Sequence, residues 1–353
     1  MRPSIHWLLV CAPLALVLEH TGAPAPAIFA SAALALIPLA TLIIQATEQI
    51  AARTGPAIGG LLNATFGNLP ELIISVAALS AGLTEMVRAS LIGALLANTL
   101  LALGLSFLLG GRKRHEQEFN PAGARTYSSM MLLTALCLAA PAAFHRYFSD
   151  RPDSPGASLD VGIAILLLVV YVLYLVFMLR SHPDFFARAG KAIHEEGAHW
   201  STLRAATTLV AASAGAAWTS EMLVGAAQET GGQLGMSEQF LGMVVLAILG
   251  GAAELGAAVA MARKDEMDLS VGIAMGSSIQ IGLFVTPVLV LASGLFPGGR
   301  MSLSFTRLEI GALVCSVLVA IVVAGDGRAN WFKGVQLLTL YAVIAAILYL
   351  LPS

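Results

Sequence analysis

The sequence predicts an all-α integral membrane protein of about eleven transmembrane helices, one leading helix plus two inverted-topology five-helix repeats. Three observations predict it. Of 353 residues, 58% are hydrophobic and only 11% charged, with a mean hydropathy of +0.83, whereas soluble domains carry roughly 25% charged residues. The chain is a succession of apolar runs of about 20 residues, each long enough to cross hydrocarbon as a helix. Two glutamates lie inside such runs and end matching phrases, Gly67-Asn68-Leu69-Pro70-Glu71 and Gly250-Gly251-Ala252-Ala253-Glu254.

The runs cover residues 5–20, 26–48, 57–82, 88–110, 125–144, 159–180, 203–228, 236–263, 268–296, 304–324 and 331–351. The first, between Arg2 and the Ala23-Pro24-Ala25-Pro26-Ala27 stretch, has the outline of a signal peptide but reads better as an uncleaved helix. The 34 glycines and abundant alanines suit helices that approach through small residues. Cys11, Cys137 and Cys315 show no metal or pairing pattern and read as small buried hydrophobes. Net charge is −2, which offers nucleic acid no partner surface.

Orientation follows from Lys and Arg in the connections. With the N-terminus cytoplasmic, that side holds Arg2, Arg53, Arg112, Lys113, Arg114, Arg125, Arg180, Arg188, Lys191, Arg204, Arg263, Lys264, Arg328 and Lys333. The other side keeps Arg88, Arg146, Arg151, Arg300 and Arg307. Glu71 then lies on span three and Glu254 on span eight, so their helices run in opposite directions. The implied division is a leading helix over 1–22, a first repeat over 23–182, a cytoplasmic linker over 183–200 and a second repeat over 201–353. Glu48 precedes Glu71 as Glu221 precedes Glu254. Asn98 follows the first glutamate at nearly the spacing at which Gln280 follows the second.

An ionised carboxylate at the bilayer centre costs at least ~2.5–3.5 kcal/mol, which makes each glutamate a functional candidate. Gly67 and Pro70 weaken the helix around the first, and Gly250-Gly251 weakens it around the second. Irregular backbone at that depth persists only where it is buried or lines a cavity, and freed carbonyls can face an ion. Hard divalent cations take six to eight oxygens. Glu71, Glu254, the carbonyls near Gly67 and Gly250, the amides of Asn68, Asn98 and Gln280, and the hydroxyls of Ser277 and Ser278 are the candidate donors. The absence of His and Cys there argues against zinc or copper. A bound divalent ion or two protons would each neutralise the pair, whereas the empty ionised pair is costly in a poor solvent. The pattern therefore points to exchange of a divalent cation for protons.

These phrases, with the run from Lys264-Asp265-Glu266-Met267-Asp268 through Gly276-Ser277-Ser278-Ile279-Gln280, resemble the cation/proton exchanger branch of the calcium/cation antiporter superfamily. The resemblance covers almost the whole chain. It implies calcium transport driven by a proton gradient, with calcium and protons as cargo and no cofactor. It carries metal ligation onto Glu71, Glu254, Gly67, Asn68, Gly250, Asn98, Ser277 and Gln280, and proton or ion passage onto Glu48 and Glu221. The chain departs from the family pattern at Gly251 (usually Asn), Leu255 (usually His) and Ala97 (usually Ser).

Other readings stand beside these. Glu48 and Glu221, near helix ends, can snorkel to the interface; Asn98 and Gln280 can join helices; Ser277 and Ser278 can bond their own backbone. The histidines of His194-Glu195-Glu196-Gly197-Ala198-His199 are five apart, not the four a zinc helix needs, so this stretch reads as a solvated loop. No enzyme motif such as G-x-S-x-G or H-E-x-x-H occurs. A sodium-coupled or other divalent exchanger, or a passive cation channel, are the alternatives to proton-coupled antiport. Short connections favour a bacterial inner membrane; oligomeric state is open.

Overall fold

The computed structural model describes residues 5–54, 56–147, 156–182, 200–296 and 299–350. The expected linker over 183–200 and its His194–His199 stretch lie outside the described residues, Trp200 excepted. A 3₁₀ turn (Ile5–Val10) leads into α1 (Cys11–His20). Then follow α2 (Ala25–Thr54), α3 (Pro56–Phe66), α4 (Leu69–Ser80), α5 (Thr84–Gly111), α6 (Pro121–Tyr147), α7 (Gly156–Ser181) and α8 (Thr202–Leu234). The series closes with α9 (Glu238–Gly250), α10 (Ala252–Arg263), α11 (Met267–Leu295), α12 (Arg307–Ala324) and α13 (Trp331–Leu350). Each expected span meets a helix, and the boundaries differ by a few residues.

Among the described residues, eight helices are long and apolar enough to cross a membrane, counting α3–α4 as one, and nine if the bent pair α9–α10 is a single span. Two expected spans fall outside that set. Ile5–His20 is short, and α8, although 33 residues long, is diluted by Ser, Thr, Gly and Glu221. On α7 the side chains of Leu166, Val169, Val172, Leu173 and Val176 face outward, a continuous apolar surface that suits lipid. Cys315, expected to be buried, also faces outward on α12, and Cys11 and Cys137 are half-buried. A small apolar thiol costs little on a lipid-facing surface, so hydrophobicity alone could not place it.

The chain forms two compact units that cut across sequence order. Unit one takes the described residues of Met1–Ser90, Gly190–Ala253 and Leu348–Ser353; unit two takes those of Leu91–Ala189 and Glu254–Ile347. The chain passes from one to the other within α5, within α10 and near the end of α13. In unit one, α2 and α8 pack along each other and α4 packs on α8. Ala32, Ala35, Ala40, Ala212 and Ala216 are buried on these helices, the small residues that let membrane helices approach closely. At Gly215 of α8 an added Cβ would lie 3.2 Å from Leu39 Cδ2 of α2.

In unit two, α11 packs on α5, α6 and α7, and α12 packs on α5 and α6, around Ile92, Leu100, Leu103, Phe107, Leu138 and Leu167. One end of this unit is tied by a polar clasp. Strand β1 (Gln117–Glu118) pairs antiparallel with β2 (Arg328–Ala329). The buried Gln117 amide donates to Ala262 O (3.0 Å) and Asp265 Oδ1 (2.7 Å), and Arg114 pairs with Asp265 at 3.3 Å. The backbone N–H of Asn120 donates to Asp268 at 2.5 Å. Lys333 bonds both Asp326 oxygens at 2.7 Å. Burial opposes the Asp326 charge, but hydrogen bonds from Lys333 and from the Arg328 amide outweigh it and hold the carboxyl below its usual range. Three connections, 112–120, 264–266 and 325–330, thus meet at one end of the unit.

Replacing Gln117 with Leu removes one of the donors to the Ala262 carbonyl and one of those to Asp265, which keep the Asp265 amide and Arg114 respectively, a loss of about 1–2 kcal/mol. The thermal unfolding midpoint in detergent should fall by a few degrees; an unchanged midpoint would show that the clasp does not hold the unit.

Candidate functional site

The first signature builds a broken helix. The amide of Gly67 closes the last turn of α3 on Asn63 O at 2.9 Å. A Cβ there would lie 2.5 Å from that same carbonyl, so only glycine allows this end. Asn68 takes the N-cap position of α4 with φ −97° and ψ 17°, and its side chain makes no capping bond. Pro70 stands in the first turn, where its missing N–H is no loss. Glu71 follows in the same turn.

The second signature repeats the plan. Helix α9 ends at Gly250, Gly251 makes the corner with φ −82° and ψ 8°, and α10 leaves at a 57° bend with Glu254 in its first turn. Both glutamates are therefore third in a half-helix that begins inside an apolar span. The N-terminal end of a helix carries about half a positive charge, which favours a carboxylate there. Sequence reading found the breaks and expected carbonyls to face the ion; it missed that each glutamate sits on a helix N-terminus.

Glu71 and Glu254 are each only 7% exposed. Neither carboxylate oxygen of Glu71 has a hydrogen-bond partner among the described residues. Within unit one, Glu71 lies directly on Gly250: a Cβ built there would stand 3.2 Å from Glu71 Cγ and 3.7 Å from Oε1. The two signature phrases, 179 residues apart (Gly250 less Glu71), therefore touch through the smallest possible side chain. Asn68 is fully buried beside them in the chain.

Unit two holds the remaining candidate donors. Asn98 is 2% exposed and its Nδ2 has no hydrogen-bond partner among the described residues. It lies in a π-turn, Ala97–Ala102. Gln280 is half-buried and immediately precedes another π-turn, Ile281–Val285. Such turns insert one residue into a helix and cluster at functional sites; nothing in the periodicity announced them. Ser277 is buried, whereas Ser278 spends its hydroxyl on Ala274 O at 3.1 Å, so of the two serines Ser278 follows the bland reading.

Glu48 and Glu221 are placed differently. Glu48 is half-buried on α2. Glu221 is exposed on α8, a helix that runs on to Leu234, so it stands well inside the helix rather than near its end as expected. On the opposite side of α8, Thr219 and Leu223 are buried.

If Gly250 admits Glu71 by lacking a side chain, Gly250→Ala should displace that carboxylate by a few tenths of an ångström. Divalent-cation affinity, read by titration calorimetry in detergent, is expected to fall about ten-fold, or 1.4 kcal/mol, with yield and thermal stability near wild type. Unaltered affinity would remove Glu71 from the binding site.

The model of the sodium/calcium exchanger protein family matches this chain twice, over residues 24–180 and 204–350. A Ca(2+)/H(+) antiporter, ChaA, of Bacillus subtilis is 42% identical over 98% of this chain and 99% of its own length. A vacuolar calcium ion transporter of Schizosaccharomyces pombe is 36% identical over 100% of this chain and 86% of its own. The structure of native YfkE superposes with a TM-score of 0.86 at 38% identity, covering 99% and 100% of the two chains. An H+/Ca2+ exchanger CAX structure, at 15% identity and a TM-score of 0.70 over 98% and 91%, shares the fold.

Proposed function

The chain belongs to the sodium/calcium exchanger protein family, and on that premise we propose that it is a secondary antiporter exchanging Ca²⁺, or a related cation, for H⁺ across a membrane. The observation that carries this reading is Glu71: a buried carboxylate at a helix break, with both oxygens unpaired, seated against the glycine of the second signature. The names of the ChaA and vacuolar relatives point the same way.

The mechanism follows from charge. Glu71 and Glu254 each gain from a helix N-terminus, which keeps them competent as anions for a cation. Neither is affordable as a bare charge at membrane depth. A divalent ion neutralises the pair; two protons do the same. The loaded and the protonated forms are then the ones able to change access, and turnover requires one cargo to replace the other. Asn68, Asn98, Ser277, Gln280 and the backbone around Gly67 and Gly250 supply the neutral oxygens that hard cations need. Calcium and protons are cargo, and no cofactor enters this cycle.

The eleven-span topology belongs to the same proposal and is supported by which connections meet. Every span moves the chain to the other side. Gln117 bonds Ala262 O and Asp265, and between them lie α6, α7, α8 and the bent pair α9–α10. Contact between them fits an even number of crossings, which supports counting α8 as a span despite its modest hydropathy. Trp200, whose N–H donates to Gln49 at 2.9 Å, is separated from it by α3–α4, α5, α6 and α7, again four. The double match of the family model supports two repeats, over 23–182 and 201–353. Packing of α2 on α8, of α5 on α11 and of α6 on α12 sets corresponding helices side by side, as two repeats with a common ancestor would. The basic clasp side is cytoplasmic by charge bias, with the N-terminus inside and a bacterial inner membrane as the setting.

In proteoliposomes carrying a pH dye, a calcium pulse should drive proton movement. Glu71→Gln and Glu254→Gln should each bring it to the protein-free background, and Gly251→Asn should tighten calcium binding. Calcium flux that persists in full when the proton gradient is collapsed and no counter-cation is present would mean a channel instead.

A further inference from the structure

We infer that Tyr171 is a positioning residue for the cation site: its stack on Phe284 holds the π-turn Ile281–Val285 and thereby sets the direction of Gln280. This rests on the reading above, in which Gln280 is a cation ligand, and adds the group that keeps that ligand in place.

Helix α11 is held by different neighbours along its length. Its first part, Met267–Gln280, packs on α6 and on the π-turn Ala97–Ala102 that carries Asn98. Its later part, Thr286–Ala292, packs on α7. Between the two, the π-turn Ile281–Val285 adds one residue to the helix, and one residue corresponds to about 100° of rotation. With the later part seated on α7, the turn therefore decides which face of the first part meets the turn of Asn98. Ser277 and Gln280 lie at the end of that first part.

Three contacts fix the turn. The Thr286 amide closes it on Ile281 O, and the Thr286 hydroxyl donates to the same carbonyl at 2.8 Å. A helical hydroxyl ordinarily bonds three or four residues back, as Thr134 and Ser278 do; the five-residue reach of Thr286 belongs to the wide turn. Gly282 lies against α6, where an added Cβ would collide with Thr134 Cγ2. Phe284 stacks on Tyr171 of α7, with ring centroids 5.3 Å apart and ring planes 23° apart. The stack ties the turn to the same helix on which the later part of α11 rests, so it fixes the phase between the two parts. Tyr171 is 3% exposed, in the buried stripe of α7 that also holds Ala164, Leu167 and Tyr174.

Gln280 presents an amide on a flexible side chain, and a cation that gathers six to eight oxygens gains from each only when it is already in place. A turn free to shift its phase would spread Gln280 over several directions and weaken binding without removing any ligand.

The test reads calcium affinity and binding stoichiometry by titration calorimetry on the full-length protein in detergent, where stoichiometry reports the folded fraction separately from Kd. Tyr171→Leu keeps an apolar side chain and loses the stack; calcium binding should weaken about five-fold. Tyr171→Phe, which restores the ring, should restore the affinity. In a Gln280→Ala background, Tyr171→Leu should cost nothing further, because the ligand it positions is gone. Phe284→Leu breaks the same stack from the other side and replaces Tyr171→Leu if that variant does not fold. Unchanged affinity in Tyr171→Leu, no recovery in Tyr171→Phe, or losses that add in the double variant would each overturn the inference. A wild-type protein that binds no divalent cation, or a Gln280→Ala variant that binds it as wild type does, would instead overturn the ligand assignment beneath it.

Discussion

A carboxylate buried in an apolar span has to be neutralised, and most of this molecule is arranged around that requirement. The helix that carries Glu71 is broken two residues before Leu69 so that the side chain meets a helix N-terminus rather than a wall of hydrocarbon. The glycine at 67 exists because any Cβ would strike Asn63 O. The glycine at 250 exists because the Glu71 side chain occupies the place where its own would go. Each device costs helix stability locally, and each is repaid only if the charge is used. A structural carboxylate would be satisfied by hydrogen bonds instead, yet neither oxygen of Glu71 has a partner among the described residues.

The two halves of the chain solve that problem with the same geometry and different residues. The first break uses Asn68 and Pro70; the second uses Gly251 and no proline, and bends by 57°. Proline and glycine reach the same end by different means, one by lacking an N–H and one by lacking a Cβ. In consequence the second signature offers one side-chain oxygen fewer than the first, and a cation held there must draw more on backbone, Ser277 and water.

What could be read beforehand was whatever depends on composition and spacing. Helix positions, both breaks and the candidate donors follow from apolar runs, from Gly and Pro, and from polar residues where none should be. The rest depends on how helices meet. The π-turns Ala97–Ala102 and Ile281–Val285 leave no mark in hydrophobic period. Glu221 looked peripheral because hydropathy fades after residue 228; the helix continues to Leu234 because Gly235, at φ 68°, supplies the left-handed cap that ends it. The serines at 106, 128 and 270 are unremarkable one at a time, since a serine in a helix normally bonds its own backbone; that their hydroxyls, like those of Ser213, Ser220 and Thr230 on α8, have no hydrogen-bond partner among the described residues emerges only from the structure.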